Sequence, residues 1–155
     1  MSDTTTEPPL LAPSSVPRPA LMARLDAASK LRLVVVAAPA GSGKTTLLTQ
    51  WFRRSRQRRT AAWLTLAAPL ATPEELAAQL LVSLRAAGAA TDPIAPEGPS
   101  DALHALHALL AQRSGDLLIV IDDVHHAQEA ACLRLLDALL AASPPGIHWV
   151  LAGRC

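Results

Sequence analysis

At 155 residues, half of them apolar but only 3% aromatic, the chain has the length for one domain with a real core. A net charge of +1 excludes a global electrostatic pull toward nucleic acid or a membrane surface. Two cysteines, Cys132 and Cys155, make no C-x-x-C motif and no disulfide framework, which fits a reducing, cytoplasmic setting.

Residues 1–16, "MSDTTTEPPLLAPSSV", are rich in Thr, Pro and Ser and read as a disordered tail preceding a domain over 17–155. The tail has neither the basic nor the apolar region of a signal peptide. Residues 18–28 read as a short helix. "LRLVVVAA" (31–38) is a continuous apolar, β-branched run, the pattern of a strand buried on both faces of a parallel sheet. It is too short to span a bilayer. A helix over 43–54 turns Leu47, Leu48, Trp51 and Phe52 inward. "AAWLTLA" (61–67) is a second strand.

Residues 72–88 form a punctuated helix: Thr72 as N-cap, Pro73 in the first helical position, Glu75 completing a capping box, Gly88 just past the end. A loop over 89–99 and a helix over 100–113 follow. "DLLIVIDD" (116–123) is the third strand. The next helix, 128–142, carries an apolar stripe of Cys132, Leu135, Leu136, Leu139 and Leu140, and "IHWVLAG" (147–153) is the fourth strand. Strands alternating with helices predict an α/β fold, a parallel sheet flanked by helices.

"APAGSGKTT" (38–46) lies between a buried strand and a helix start. A nucleoside triphosphate concentrates about four negative charges, which backbone N–H groups at a helix N-terminus hold without a buried ion. Such a loop needs glycine where φ is positive or where phosphate touches the backbone, and Gly41 and Gly43 stand there. Lys44 would reach the β and γ oxygens, and the Thr45 hydroxyl would ligate Mg²⁺. Ala40, Gly41, Ser42, Gly43, Lys44, Thr45 and Thr46 form the predicted cradle. The usual pattern, G-x-x-x-x-G-K-(S/T), has glycine where this chain has Ala38. Pro39 biases its predecessor toward extended geometry, which alanine adopts easily, so Ala38 need not disable the loop.

Mg²⁺ needs a second anchor, and open α/β sheets bind ligands at the C-terminal ends of strands. Asp122, ending "LLIVID", is assigned to Mg²⁺, through water. Asp123 is the candidate to orient the attacking water, and Arg154, past the fourth strand, the candidate to sense the γ-phosphate.

These stretches, "VPRPALMARLD", "VVVAAPAGSGKTTLLTQW", "AAWLTL", "LLIVIDDVHH" and "HWVLAGR", carry a resemblance over residues 16–154. They resemble the N-terminal nucleotide-binding domain of MalT-like, LuxR-type transcriptional regulators, in the STAND class of P-loop ATPases. The resemblance implies a P-loop NTPase fold, ATP and Mg²⁺ as cofactors, and slow hydrolysis used as a switch. It also implies self-association, or association with full-length relatives, as the partnership. Lys44, Thr45, Asp122, Asp123 and Arg154 take the roles above. Family members are several times longer. No helix-turn-helix, inducer-sensing repeat or membrane segment is visible in this chain, and "AAPLA" (67–71) lacks the acids that family members place there. In this class a further strand pairs beside "LRLVVVAA", so that strand is expected to be an open edge, and the isolated chain to be poorly soluble or marginally stable.

Two other functions fit the same loop: a self-contained phosphotransferase, and an inactive fragment that binds partner proteins. "RRSRQRR" (53–59) reads as a solvated helix end. His104, His107, His125 and His126 lack the companions of a zinc site. Cys132 reads as core.

Overall fold

The structure, a computed structural model, describes residues 4–89 and 99–154. In chain order it contains α1 (Pro19–Ala28), β1 (Leu33–Ala37), α2 (Lys44–Ser55), β2 (Thr60–Thr65), α3 (Pro73–Ala86) and α4 (Pro99–Gln112). Then come β3 (Leu117–Asp122), a 3-10 turn (Val124–His126), α5 (Ala130–Ala142) and β4 (Ile147–Gly153). Most of the expected 89–99 loop lies outside the described residues.

The four strands form one parallel sheet in the order β1-β4-β3-β2. Side chains alternate across a strand, so each strand feeds two cores. Ala61, Trp63, Leu118, Val120 and Val150 pack with α1 and α2 on one face. Ala62, Leu64, Ile119, Ile121 and Trp149 pack with α3, α4 and α5 on the other. The predicted inward set of α2 is buried, as are Cys132, Leu135, Leu136 and Leu139 of α5. Each buried tryptophan satisfies its indole N–H: Trp51 donates to Asp26 of α1 at 2.9 Å, Trp63 to Thr65 at 2.8 Å, and Trp149 to Ser143 at 3.0 Å. α3 begins as its sequence predicts, with the Thr72 hydroxyl accepting from Glu75 N–H at 3.2 Å. The return bond of Glu75 goes one residue further back, to Ala71 N–H at 3.0 Å.

One expectation fails, for a reason of neighbourhood. β3 is buried at every position, but β1 is not. Val35 is 62% exposed, because among the described residues β1 has only β4 beside it and its α5-side face is open. The valine run is the same in either setting; the missing neighbour decides. Ahead of α1, Thr5, Glu7 and Pro9 make contacts with the domain. Thr65 N–H donates to Thr5 C=O at 3.0 Å, the single bridge on the outer edge of β2 among the described residues. Glu7 pairs with Arg56 at 2.8 Å, and Arg53 donates to Pro9 C=O at 3.3 Å. The segment straps the outside of α2, held by groups far away in sequence.

An open, apolar β1 edge is a template for pairing with another chain. Val35→Lys is therefore expected to slow aggregation of the purified chain while changing stability by less than about 0.5 kcal/mol, as usual for an exposed position. Light scattering beside a thermal melt checks this. A parent chain that stays monomeric and melts cooperatively at high concentration would remove the premise.

Candidate nucleotide site

The C-terminal ends of β1, β4 and β3 lie side by side, which brings the loop and the acid pair together. Gly41 and Gly43 both have positive φ, 79° and 81°, the conformation for which glycine was needed. Gly43 also admits an arginine from the N-cap of α1. A Cβ there would meet Arg18 Nη2 at 3.0 Å, and Arg18 Nη1 donates to Ser42 C=O at 3.3 Å. Ala38 does not have a positive φ; its N–H donates to Gly153 C=O at 3.3 Å, continuing the β1–β4 ladder. Nothing in that geometry calls for glycine.

Lys44 opens α2 and is buried. Ser42 Oγ is buried without a hydrogen-bond partner, an uncommon condition that a ligand oxygen would relieve. Thr45 Oγ1 donates to Asp122 Oδ2 at 2.9 Å, and Asp123 N–H donates to Asp122 Oδ1 at 2.9 Å. Burial pushes the Asp122 carboxyl above its ordinary 3.8, against the Thr45 hydroxyl and the Asp123 amide, which pull it back down. A hydroxyl and a carboxylate in contact at the mouth of a phosphate-type loop are hard oxygen donors suited to Mg²⁺. The positive-φ glycines, the orphaned Ser42 hydroxyl and this oxygen pair fit the cofactors expected from the sequence.

Asp123 is the only non-glycine residue with positive φ among the described residues, at φ 55° and ψ 39°. That left-handed kink turns the chain out of β3 into the 3-10 turn, with His126 N–H donating to Asp123 C=O at 3.0 Å. His126 then grips the β2–α3 turn. Its ring Nδ1 meets Leu66 C=O, and its own carbonyl accepts from Leu70 N–H at 3.0 Å. Arg154 follows β4, exposed, next to the β1–β4 pair Ala37 and Gly153 at the root of the loop.

Sequence reasoning missed Arg18. It lies over the loop beside a recess of about 200 Å³ whose lining includes Ser14, Ser15, Val16 and Thr46. The signal was "VPRP", an arginine held just before a helix by flanking prolines. The histidines gather no metal set: among the described residues no group of three His, Cys, Asp or Glu side chains is placed to hold an ion. Cys132 is fully buried, and burial raises its thiol pKa, as suits a core residue. No helix of the described residues is long and apolar enough to cross a membrane.

Comparison with known proteins places this geometry. The chain is 32% identical to the HTH-type transcriptional regulator MalT of Cronobacter sakazakii, over 94% of its own length and 17% of the relative's. It is 31% identical to MalT of Klebsiella pneumoniae over the same shares. It thus spans about one-sixth of the regulators it matches. Among solved structures, the Aeropyrum pernix ORC1 protein in complex with DNA superposes with a TM-score of 0.68 at 18% identity, covering 92% of this chain and 40% of that one. Cdc6p from Pyrobaculum aerophilum gives 0.56 at 18% identity, covering 93% of this chain and 42% of that one. These likenesses show a shared fold. The AAA ATPase domain family matches residues 19–151, and the chain belongs to it.

Proposed function

We propose that the chain is the ATP-binding, slowly hydrolysing switch module of a MalT-like transcriptional regulator. The carrying observation is the 2.9 Å hydrogen bond from Thr45 to Asp122, which joins the phosphate loop to the acid strand. Backbone N–H groups of residues 40–46, from Ala40 to Thr46, cradle the phosphates at the N-terminus of α2. Lys44 places its ammonium against the β and γ oxygens. Thr45 and Asp122 are the residues that would hold Mg²⁺, which when bound neutralises charge on the phosphate oxygens. Asp123 orients the attacking water, and Arg154 senses the γ-phosphate from the end of β4.

Likeness to MalT, named as a regulator of transcription, supports the switch reading. The open β1 edge supports self-association or binding to full-length relatives as the output, in the cytoplasm. The A. pernix ORC2 protein, a neighbour in fold, is described with ADPNP and ADP, in keeping with a nucleotide at this sheet end. Titrating ATP into the full chain with and without Mg²⁺, beside circular dichroism, tests the reading. Binding that strengthens with Mg²⁺ is expected. A folded chain with no affinity for ATP would sink it.

A further inference from the structure

Away from the loop, the structure offers a second surface that the nucleotide chemistry does not use. Thr65 N–H points outward to Thr5 while Leu66 N–H points inward to Asp122 C=O at 3.1 Å. Alternation then turns the backbone groups of Ala61 and Trp63 outward as well. They line a trough of about 510 Å³ between α2 and α3, with Arg56, Arg58 and Arg59 on one wall.

The strap covers this edge poorly. Continuing its antiparallel register from Thr5 opposite Thr65 would set Glu7 opposite Trp63 and Pro9 opposite Ala61. Proline has no N–H to give, and the strap makes no second bridge. Glu7 is 69% exposed, so its pair with Arg56 is solvent-screened and weak. What the strap does display is the chemistry that the trough accepts: an extended backbone and a carboxylate on Arg56.

The charge is one-sided. Five arginines, Arg53, Arg54, Arg56, Arg58 and Arg59, fall within residues 53–59. Asp26 engages Arg54, and Asp116 holds Arg59 at 2.7 Å. Arg59 still keeps a buried Nε with no partner, and Arg58 stands exposed on the rim. Single-stranded nucleic acid would want aromatic faces on which to stack, but the aromatics here, Phe52 and Trp63, are buried edge to face against each other.

We propose that the outer edge of β2 and its arginine-lined trough are a docking surface for an extended acidic polypeptide segment, which adds to the sheet as a strand and displaces residues 4–9. Main-chain hydrogen bonds to Ala61 and Trp63 would supply affinity, and carboxylates on Arg56 and Arg58 would supply selectivity.

The test is fluorescence anisotropy on the full chain with a fluorescein-labelled decapeptide of alternating Thr and Glu. The controls are its Gln counterpart and a ten-nucleotide oligothymidylate. A Kd of roughly tens of micromolar is expected for the acidic peptide, the range of a weak transient contact, and slower hydrogen exchange at the Ala61 and Trp63 amides. Glu7→Ala should tighten binding about threefold by releasing the competing strap, and Arg56→Glu should weaken it at least about tenfold. Should Arg56→Glu fail to fold by circular dichroism, Arg58→Glu, on the rim, carries the same expectation. No binding at millimolar peptide overturns the proposal. So does equal binding by the Gln peptide, indifference to the arginine variants, or tighter binding by the oligonucleotide with displacement of the peptide.

Discussion

Replacing Lys44 by alanine is expected to weaken Mg²⁺-ATP binding by about 100-fold while the chain stays folded. Charge-assisted hydrogen bonds are worth about 1.5–3 kcal/mol each, and each 1.4 kcal/mol is about tenfold in affinity. An ammonium shared between two phosphate oxygens therefore accounts for roughly two decades. The side chain is buried, yet none of the ion pairs among the described residues uses it, so its removal breaks no salt bridge. Alanine is the best helix former and suits the first turn of α2. Calorimetric titration of the variant beside the parent, with melts on both, reads the effect. A folded variant that binds as tightly as the parent would remove Lys44 from the site.

Asp122→Asn is expected to act in opposite directions with and without nucleotide. Burial raises the Asp122 carboxyl above 3.8. The folded state therefore keeps the proton over a range in which the unfolded chain has released it. Stability falls as pH rises through that interval, and the full cost persists above the folded value. Asparagine has the same shape and its Oδ1 still accepts from Asp123 N–H, but it carries no charge to desolvate. The variant should melt a few degrees higher than the parent in metal-free neutral buffer, with a flatter decline from pH 3.8 upward. It should also lose the Mg²⁺-dependent part of ATP binding, because a neutral amide is a poor ligand for a hard cation. Melting curves across pH, in chelator and then with Mg²⁺-ATP, check both halves. A variant less stable than the parent without metal would mean that the Thr45 and Asp123 hydrogen bonds outweigh desolvation.

Some of this architecture was legible in the sequence because residue type alone dictates it. Gly41 and Gly43 stand where the loop needs positive φ or a bare backbone beside phosphate, and both have positive φ. The apolar run 116–123 reads as a strand, and it forms β3, buried throughout. Chemistry alone assigns Thr45 and Asp122 to one ion; in the structure the Thr45 hydroxyl donates to the Asp122 carboxylate. What was not legible depends on neighbours far along the chain. β1 and β3 are both apolar runs, but only the order of the sheet tells the edge strand from the central one. The Pro- and Thr-rich strap looked partnerless because its partners, Arg53, Arg56 and Thr65, lie more than 40 positions away. Arg18 reads as part of a helix start; its place over Gly43 follows from where α1 begins relative to the loop.

The strand order has a kinetic consequence. β4, the last of the described strands in sequence, lies between β1, which carries the loop, and β3, which carries the acids. A chain emerging from the ribosome can pair β2 with β3 early, but β1 has no partner until residues 147–153 have been made. Pairings between distant segments are slow because loop closure must come before the contacts that reward it. Thr45 cannot settle against Asp122 until β4 inserts between their strands. Nucleotide competence therefore waits for β4, and the valine-rich β1 stays without a strand partner until residues 147–153 have been translated.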